Sequence, residues 1–371
     1  MIVMNSGGLY IISGLSFEDG IINARLSLDG RHWLFSSHFP GQPILPGAIL
    51  AEIVSDLCSR CLKRQFVAES VEDARFKRPV VPLEGSYLSA RISVAEDGGG
   101  ILAKASFSIE SGEEKSVAAT VSVSLRESRF PVCFLVPFYN NSKTVAKVIE
   151  SIQGAGFKVV AVNDGSTDNE SLDQALKANP YDLVSYERNK GKGYALRQGF
   201  KRALSLGFKY AMVFDADGQH TLSGAKAVID KSLSLGEKER AKTIVVGSRN
   251  KRGADGGGKF ANNFSNFWLT VQTGRKVGDT QSGMRLYPLE KICKTKFLGN
   301  RYEFETEVLV RMAWRGFRLL EVPVDVVYPE DRVTHFRKGA DFTRISVMNT
   351  FLTCGALLYG YPRMFFHRIF R

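Results

Sequence analysis

The sequence predicts two domains of different fold class: an α+β domain, then an α/β domain whose sheet is mostly parallel. Up to residue 127, short segments alternate apolar and polar residues and end in Asp-Gly, Gly-Gly or Ser-Gly turns. From residue 131 the apolar segments are continuous and helical stretches separate them, as in strands buried on both faces. We assign residues 1–127 to the first domain, 128–341 to the second and 342–371 to a tail.

Five alternating segments of the first domain are predicted to be strands, and one long apolar stretch, residues 47–64, is predicted to be a helix. This combination favours an antiparallel sheet with the helix packed on one face. The predicted strands are IINARLSLDG, HWLFSS, SYLSARISVAEDGGG, ILAKASFSIESGEE and KSVAATVSVSLRE.

In the second domain, four continuous apolar segments alternate with helical stretches, which indicates a parallel sheet. In such sheets ligands bind beyond the carboxyl ends of the strands, and the acidic loops of this sequence fall there. The strands are VCFLVPFY, KVVAVND, YAMVFDAD and TIVVGSR, and the helices are 143–154, 170–178, 192–206 and 222–235.

The formal net charge of +12 is unevenly divided along the chain. Residues 1–129 hold 13 Lys+Arg against 15 Asp+Glu, so the basic excess lies in the remainder. A basic second half suits anionic lipid or phosphorylated small molecules, and the scattered pattern disfavours nucleic acid. Five cysteines and the lack of a recognisable signal peptide predict a cytoplasmic protein without disulfides. Cys58 and Cys61 are interpreted as core thiols.

The stretch SSHFPGQPILPGAILAE places His38 in a proline-rich loop and Glu52 in the helix that follows. Three prolines fix the loop, and Pro46 suits a helix start. Apolar neighbours of Glu52 predict burial and a raised pKa, and the first-turn N–H groups near Gly47 and Ala48 can hold an oxyanion. A base, a neutral acid and an oxyanion site suit β-elimination from a thioester. The alternative is a surface histidine and a glutamate without a role.

The segment HFPGQPILPGAILAE resembles the active-site segment of the β-hydroxyacyl-ACP dehydratases of the hotdog fold, and the resemblance covers roughly residues 10–125. It implies that His38 removes the α-proton, that Glu52 assists loss of the β-hydroxyl, and that no cofactor is needed. It also implies acyl carrier protein as a partner and a homodimer whose His and Glu come from different protomers. The turn at 82–85, PLEG, departs from the Pro-Gly-Asp usual in the family. The resemblance therefore does not predict the shape of the acyl tunnel.

Two strand ends in the second domain carry acidic loops, VNDGSTDN and FDADGQH. Asp215 and Asp217 are two residues apart, so their carboxylates can share a divalent cation. Mg²⁺ or Mn²⁺ prefers such oxygen ligands and completes its shell with phosphate oxygens. A lone Asp-x-Asp also caps helices, so the order of several strand-end signals after LVPFYNN strengthens this interpretation.

From about 131 to 335 the chain resembles family 2 glycosyltransferases of the GT-A (Rossmann-like) fold, most closely the dolichyl- and polyprenyl-phosphate sugar transferases. The resemblance is carried by RNKGKGYALRQGF, GSRNKRG and DTQSGMRLYP as well as the acidic loops. It implies a nucleotide-sugar donor, with Asp164 on the base or ribose, Asp215 and Asp217 at ribose and metal–diphosphate, and Gln219 as a further metal ligand. Further candidate donor-binding residues are Pro137, Tyr139, Lys192, Arg249, Lys251 and Arg285, the arginines by neutralising the diphosphate.

The expected reaction is an inverting displacement at the anomeric carbon. A hydroxyl acceptor needs a base, for which Asp279 is the first candidate and Glu305 or Glu303 the second. A phosphate acceptor needs none, and the sequence leaves this open.

Together these patterns predict a bifunctional bacterial enzyme, a dehydratase joined to a metal-dependent glycosyltransferase acting on a lipid or polyene-type acceptor. The alternative is a glycosyltransferase whose hotdog domain only dimerises or binds an acyl chain. The aromatic and basic tail, too short in its apolar part to span a bilayer, suits a helix lying on the inner face of the cytoplasmic membrane. A helix docked on the domain itself is the alternative for the tail.

Overall fold

The computed structural model describes residues 3–5, 9–32, 34–35, 41–249, 256–327 and 338–369. The chain divides into two compact units. Unit 1 comprises Met1–Pro131 with the short segments Lys177–Asp182 and Ser205–Phe208, and unit 2 comprises the rest. None of the helices in the described ranges combines the length and the apolar character that crossing a membrane requires.

Unit 1 is built on a seven-stranded sheet in the order β1-β2-β3-β5-β6-β7-β4, and its neighbouring strands pair antiparallel. One long helix, α1 (Gly47–Leu62), packs on it through a continuous apolar core. The strands are β1 (Val3–Asn5), β2 (Tyr10–Glu18), β3 (Ile21–Leu28), β4 (Phe66–Phe76), β5 (Ser86–Asp97), β6 (Gly100–Ser111) and β7 (Glu114–Glu127). The predicted α+β class is confirmed.

One predicted strand of unit 1 is wrong. Leu34 and Phe35, in the segment HWLFSS, are helical rather than extended. The N–H of Phe35 bonds the carbonyl of His32, and the N–H of Leu34 bonds the Nδ1 atom of the same histidine. This turn places the Phe35 ring in the core, so an apolar residue that looked like part of a strand is buried by a loop.

Unit 2 contains a second seven-stranded sheet, in the order β10-β9-β8-β11-β13-β12-β14. Strands β8, β9 and β11 pair in parallel, as do β12 and β14, whereas β13 runs antiparallel to both of its neighbours. The strands are β8 (Val132–Phe138), β9 (Val159–Asn163), β10 (Asp182–Ser185), β11 (Tyr210–Val213), β12 (Thr243–Arg249), β13 (Arg285–Pro288) and β14 (Arg318–Val324). The prediction of a mostly parallel sheet is confirmed.

The four helices predicted at 143–154, 170–178, 192–206 and 222–235 are confirmed to within two residues at each end, and the described part of the remaining chain contains ten helices. They are α2 (Val145–Gly154), α3 (Asn169–Lys177), α4 (Lys192–Ser205), α5 (Leu222–Leu233), α6 (Glu237–Arg240), α7 (Gly256–Thr273), α8 (Leu289–Cys293), α9 (Glu303–Trp314), α10 (Lys338–Gly355) and α11 (Tyr361–Ile369). A π-helical turn, Ala356–Gly360, joins the last two into one continuous rod.

This topology collects polar loops at one edge of the second sheet. The carboxyl ends of β8, β9, β11 and β12 meet there. Because β13 runs in the opposite direction, the loop that precedes it, residues 279–284, reaches the same edge. Segments far apart in sequence therefore converge beside the strand ends.

Helix α4 approaches the sheet closely because Gly199 has no side chain. A Cβ atom at this position would lie 2.3 Å from Leu135 Cδ1 and 2.9 Å from Val162 Cγ2. Leu135 and Val162 belong to the central strands and are fully buried, so neither has room to move.

We expect Gly199→Ala to lower the free energy of unfolding by ~1–3 kcal/mol, because an added methyl group overpacks the core. Gly154→Ala is the matched control: it lies in α2 and a Cβ there meets nothing within 4 Å. The control should be neutral or stabilising by up to ~1 kcal/mol, since alanine favours helices. Urea unfolding measures both, and equal stabilities would contradict the close packing.

Candidate functional site

A cavity of about 640 Å³ opens at the carboxyl edge of the unit 2 sheet. Eight residues proposed from sequence line it: Pro137, Tyr139, Asp164, Lys192, Asp215, Asp217, Gln219 and Arg249. Further lining residues were not proposed from sequence: Asn141, Asn189, His220, Gln281, Arg301 and Tyr302. Asp279, Arg285 and Glu305 are not among the lining residues.

Asp164 lies just after β9, where its carboxylate organises the loop that begins α4. It accepts hydrogen bonds from Tyr186 Oη (2.6 Å), Asn189 Nδ2 (3.0 Å) and the N–H groups of Lys190 and Gly191 (both 2.9 Å). Burial raises the pKa of Asp164, and these hydrogen bonds only partly oppose the shift. The carboxylate thus holds one wall of the cavity in place, and direct contact with a nucleotide base or ribose stays a prediction.

Lys192 lies between two acids that come from different segments. Its Nζ atom is 2.8 Å from Asp215 Oδ1 and 3.1 Å from Glu305 Oε1. Burial opposes the charge on Lys192, but the two carboxylates outweigh it and raise the lysine pKa. Burial likewise opposes ionisation of Asp215, yet Lys192 holds the pKa of that carboxyl below its usual value. Three charges are therefore fixed as one unit, so Lys192 is committed to these two acids.

His220 packs against Asp215 at the floor of the cavity. Its Nδ1 atom accepts the backbone N–H of Asp215 at 3.1 Å, so the ring proton of the neutral imidazole lies on Nε2. Burial lowers the pKa of His220, although two nearby carboxylates oppose that shift. The histidine therefore orients the strand-end loop as a neutral ring. The segment FDADGQH contained this residue, but its type alone did not indicate the role.

Asp217 differs from Asp215 in its contacts. Its Oδ1 atom accepts the N–H of Gln219 at 3.0 Å, and the described residues include no cation paired with it. Burial raises the pKa of Asp217, and repulsion from Asp215 adds to the shift. A divalent cation would relieve this repulsion, and carboxylate and amide oxygens are ligands that Mg²⁺ and Mn²⁺ prefer.

The donor set is small. Within the described ranges no group of three or more His, Cys, Asp or Glu side chains is arranged to hold a metal ion. Asp215, Asp217 and Gln219 all line the cavity and stay the predicted ligands of a cation, whose shell water and substrate phosphate are expected to complete.

Gly283 explains the glycine of the motif DTQSGMRLYP. A Cβ atom at this position would lie 2.2 Å from Asp215 Oδ2. Only glycine lets the loop before β13 approach the carboxylate so closely, and no local pattern indicated this contact.

Asp279 is held by Arg249 in a two-point ion pair, with Nε–Oδ2 at 2.7 Å and Nη2–Oδ1 at 2.8 Å. The backbone N–H of Arg249 adds a third bond to the same carboxylate. Burial opposes the charge of Asp279, but Arg249 outweighs it and lowers the aspartate pKa. Asp279 is almost fully buried and outside the cavity lining, so this arrangement does not place it as the base.

Arg285 does not face the cavity, contrary to the expectation that it neutralises a diphosphate. It is fully buried beneath the site. Its guanidinium donates to the carbonyls of Ser282, Thr280 and Glu305 and to Tyr287 Oη. These bonds use most of its donors, so Arg285 fixes the loop before β13 to helix α9 instead of binding a ligand.

Glu303, the other candidate base, also has a structural contact. Its carboxylate accepts the N–H groups of Asn300 and Arg301 at 3.0 and 3.1 Å. This cap holds the turn that presents Arg301 and Tyr302 to the cavity.

In unit 1, His38 lies outside the described residues, so its position relative to Glu52 is untested. Glu52 is exposed on α1, and the expectation that it is buried among apolar neighbours is wrong for the single chain. The helical period explains this, because Leu50, Val54 and Leu57 turn toward the sheet and Glu52 points away from it. Among the described residues no side chain caps the start of α1, and the N–H groups of Gly47 and Ala48 stay the predicted oxyanion donors.

The edge strand β4 is the other unusual feature of unit 1. Only its first residue is buried, and the remainder of the strand is exposed, including Val71 and Phe76. β4 is the last strand in the sheet order, so one of its edges has no neighbouring strand among the described residues. An exposed strand edge that carries apolar side chains such as these favours pairing with another chain.

Two family profiles match the chain. The ApeI-like family, described as ApeI dehydratase, matches residues 16–121, and glycosyl transferase family 2 matches residues 133–292. These matches agree with the two sheets described above, and the predicted hotdog and GT-A folds are confirmed.

Individual relatives cover the second unit. The uncharacterized protein MJ0544 of Methanocaldococcus jannaschii is 30% identical over 217 residues, which cover 54% of this chain and 90% of that protein. The UDP-N-acetylglucosamine–dolichyl-phosphate N-acetylglucosaminyltransferase of Methanococcus voltae is 29% identical over 230 residues, covering 54% and 86%. For the first unit, the dehydratase heterocomplex ApeI:P from Xenorhabdus doucetiae has a TM-score of 0.26 at 23% identity, covering 32% of this chain and 97% of that chain.

We expect Arg249→Met to destabilise the protein by about 2–3 kcal/mol at neutral pH, because it leaves the buried Asp279 charge without its partner. Arg249 lowers the pKa of Asp279, so the contribution is full above the unfolded pKa of ~3.9 and is lost as pH falls through the folded pKa. Urea unfolding at neutral and at acidic pH measures this. Arg91→Met, at an exposed strand position, is the control, and equal losses in both variants at neutral pH would contradict the account.

Proposed function

Because the chain belongs to glycosyl transferase family 2 and carries an ApeI-like dehydratase domain ahead of that unit, we propose that it is a bifunctional enzyme. One unit transfers a sugar from a nucleotide-sugar to a lipid or polyene-type acceptor, and the other dehydrates 3-hydroxyacyl chains on acyl carrier protein. The observation that carries the first activity is the cavity at the strand ends, where Asp217 stands beside a fixed ion-paired cluster.

The charged groups of this cavity suit a nucleotide-sugar donor. A divalent cation bound through Asp215, Asp217 and Gln219 would neutralise the charge that develops on the leaving diphosphate. Lys192 holds the Asp215 carboxylate in place for that purpose, and His220 holds the backbone of the same residue by accepting its N–H. Asp164 fixes one wall of the cavity through the loop it organises.

The ion pairs around the cavity favour a phosphate acceptor over a hydroxyl acceptor. Asp279 is paired with Arg249, and Glu305 and Asp215 share Lys192. A carboxylate held by a cation is a weak base, because the cation stabilises its ionised form. A phosphate oxygen is already anionic and needs no base. We therefore infer a polyprenyl-phosphate-like acceptor. The name of the Methanococcus voltae relative gives dolichyl phosphate as the acceptor of that protein. Such an acceptor lies in a membrane, so the enzyme would work at its surface.

We expect the full chain, given a panel of UDP-, GDP- and dTDP-sugars, to glycosylate a polyprenyl phosphate but not the polyprenol of the same length. Mass spectrometry of the lipid products measures this. Asp217→Asn should lower transfer by at least ~100-fold, because it removes a charged ligand facing the diphosphate.

Asp230→Asn, an exposed position on α5, should leave that transfer unchanged. Transfer to the alcohol at a comparable rate would contradict the acceptor assignment. Full transfer by Asp217→Asn would contradict the donor site.

The dehydratase proposal assigns three roles in unit 1. His38 takes the α-proton, the free N–H groups at the start of α1 hold the thioester oxyanion, and Glu52 protonates the departing β-hydroxyl, so that water leaves as the double bond forms. Glu52 is exposed on the single chain, which suits a site completed by a second protomer. Pairing along β4 would supply that protomer and cover Val71 and Phe76.

We expect His38→Ala and Glu52→Gln each to lose hydration of crotonyl-ACP by ~10²–10⁴-fold, as general acid–base groups do. If the two residues come from different protomers, mixing the two inactive variants under subunit exchange should restore about a quarter of wild-type activity. Mass spectrometry of the acyl-ACP measures both results.

Two other outcomes would change the assignment. A mixture that stays inactive although light scattering shows dimers would contradict a shared site. A wild-type chain without activity on any acyl-ACP would leave unit 1 as a dimerisation or acyl-binding module.

A further inference from the structure

The C-terminal rod, residues 338–369, is firmly attached to unit 2 along one face. Gln272 Nε2 donates to the carbonyl of Asn349 at 3.0 Å, and Trp314 Nε1 donates to the carbonyl of Gln272 at 2.8 Å. The Trp314 ring also packs against Gly360, where an added Cβ atom would lie 2.5 Å from Nε1. The predicted alternative, a helix docked on its own domain, therefore holds for this face.

The other face of the rod presents large apolar side chains. Val347, Phe351, Leu357, Leu358 and Phe365 are 65%, 50%, 65%, 84% and 62% exposed. Val347 and Phe351 are four residues apart, and the π-helical turn then presents the two leucines side by side. Within the described part of the chain, Val347, Phe351, Leu357 and Leu358 therefore expose apolar surface to water along one stripe.

Arginines flank the stripe. Arg311 lies 5.8 Å from the Phe351 ring, and Arg363 lies 5.4 Å from the Tyr359 ring. Arg315 follows Arg311 by about one helical turn and donates to its carbonyl at 3.5 Å. Burial lowers the pKa of Arg315, and repulsion from Arg363 and Arg311 adds to this shift. Arg311 is paired with Glu307, whereas Arg315 and Arg363 have no carboxylate within 4.0 Å in the described part of the chain.

We propose that the exposed stripe and its arginines form a membrane-docking surface for an anionic bilayer. Leu357 and Leu358 would enter the acyl boundary, and Arg315 and Arg363 would bind lipid phosphates, which guanidinium groups contact through two parallel hydrogen bonds. A second copy of the chain fits less well, because a two-fold interface would bring the unpaired arginines of both copies together. On the proposed function, the enzyme would reach its lipid acceptor at this surface. The docking proposal itself rests on the exposed side chains and arginines described above.

Vesicle sedimentation of the full chain tests this without donor or acceptor, so its result is independent of transfer activity. We expect binding to vesicles of equal parts phosphatidylcholine and phosphatidylglycerol, weak binding to pure phosphatidylcholine, and release in 1 M salt, where the Debye length is ~3 Å. Arg315→Gln/Arg363→Gln should weaken binding roughly thirty-fold. Leu357→Ser/Leu358→Ser should weaken it at least about tenfold.

The controls match each variant in type. Lys226→Gln/Lys231→Gln removes the same charge from exposed positions on α5, and Leu83→Ser removes an exposed leucine of unit 1. Both should bind as the wild type does. A wild-type chain that stays in the supernatant, or an arginine variant that binds like the lysine control, would overturn the proposal. So would a leucine variant whose mass by light scattering falls, since the stripe would then join two copies.

Discussion

The site in unit 2 depends on the buried ammonium group of Lys192. It lies 2.8 Å from Asp215 and 3.1 Å from Glu305, so one charge joins the start of α4, the end of β11 and helix α9. Without it, two acids at the sheet edge would repel each other in a poorly hydrated place. With it, the repulsion between the two acids is offset, whereas Asp217 has no cation paired with it among the described residues. We propose the cation and diphosphate site from this division of charge.

The two units differ in how their candidate sites are completed. The unit 2 cavity draws its walls from one chain, because the antiparallel β13 returns its preceding loop to the edge formed by the parallel strands. Unit 1 leaves Glu52 exposed and a long strand edge without a neighbour among the described residues. We therefore expect glycosyl transfer within a single chain and dehydration only in an assembly. Attachment to a bilayer would favour glycosyl transfer, because it would bring the cavity to its lipid acceptor.

Local patterns predicted much of this structure. Alternation and continuous apolar runs predicted both sheets, and strand-end acids predicted Asp164, Asp215 and Asp217 at one cavity. What failed depended on tertiary contacts. Arg285 was predicted to neutralise a diphosphate, but four backbone and hydroxyl oxygens hold it beneath the loop. Asp279 was predicted to be a base, but it is paired with Arg249. No sequence pattern near Gly283 indicated that this glycine lies close to Asp215.

Calorimetric titration of nucleoside diphosphates into the full chain tests the central claim, that Asp217 and its neighbours hold a cation and a diphosphate together. The account predicts binding of one nucleotide per chain in Mg²⁺ or Mn²⁺, with little binding in EDTA. In Asp217→Asn the metal-dependent part should disappear, whereas Asp230→Asn should bind as the wild type does. Equal affinity with and without the metal, or unchanged metal-dependent binding by Asp217→Asn, would contradict the account.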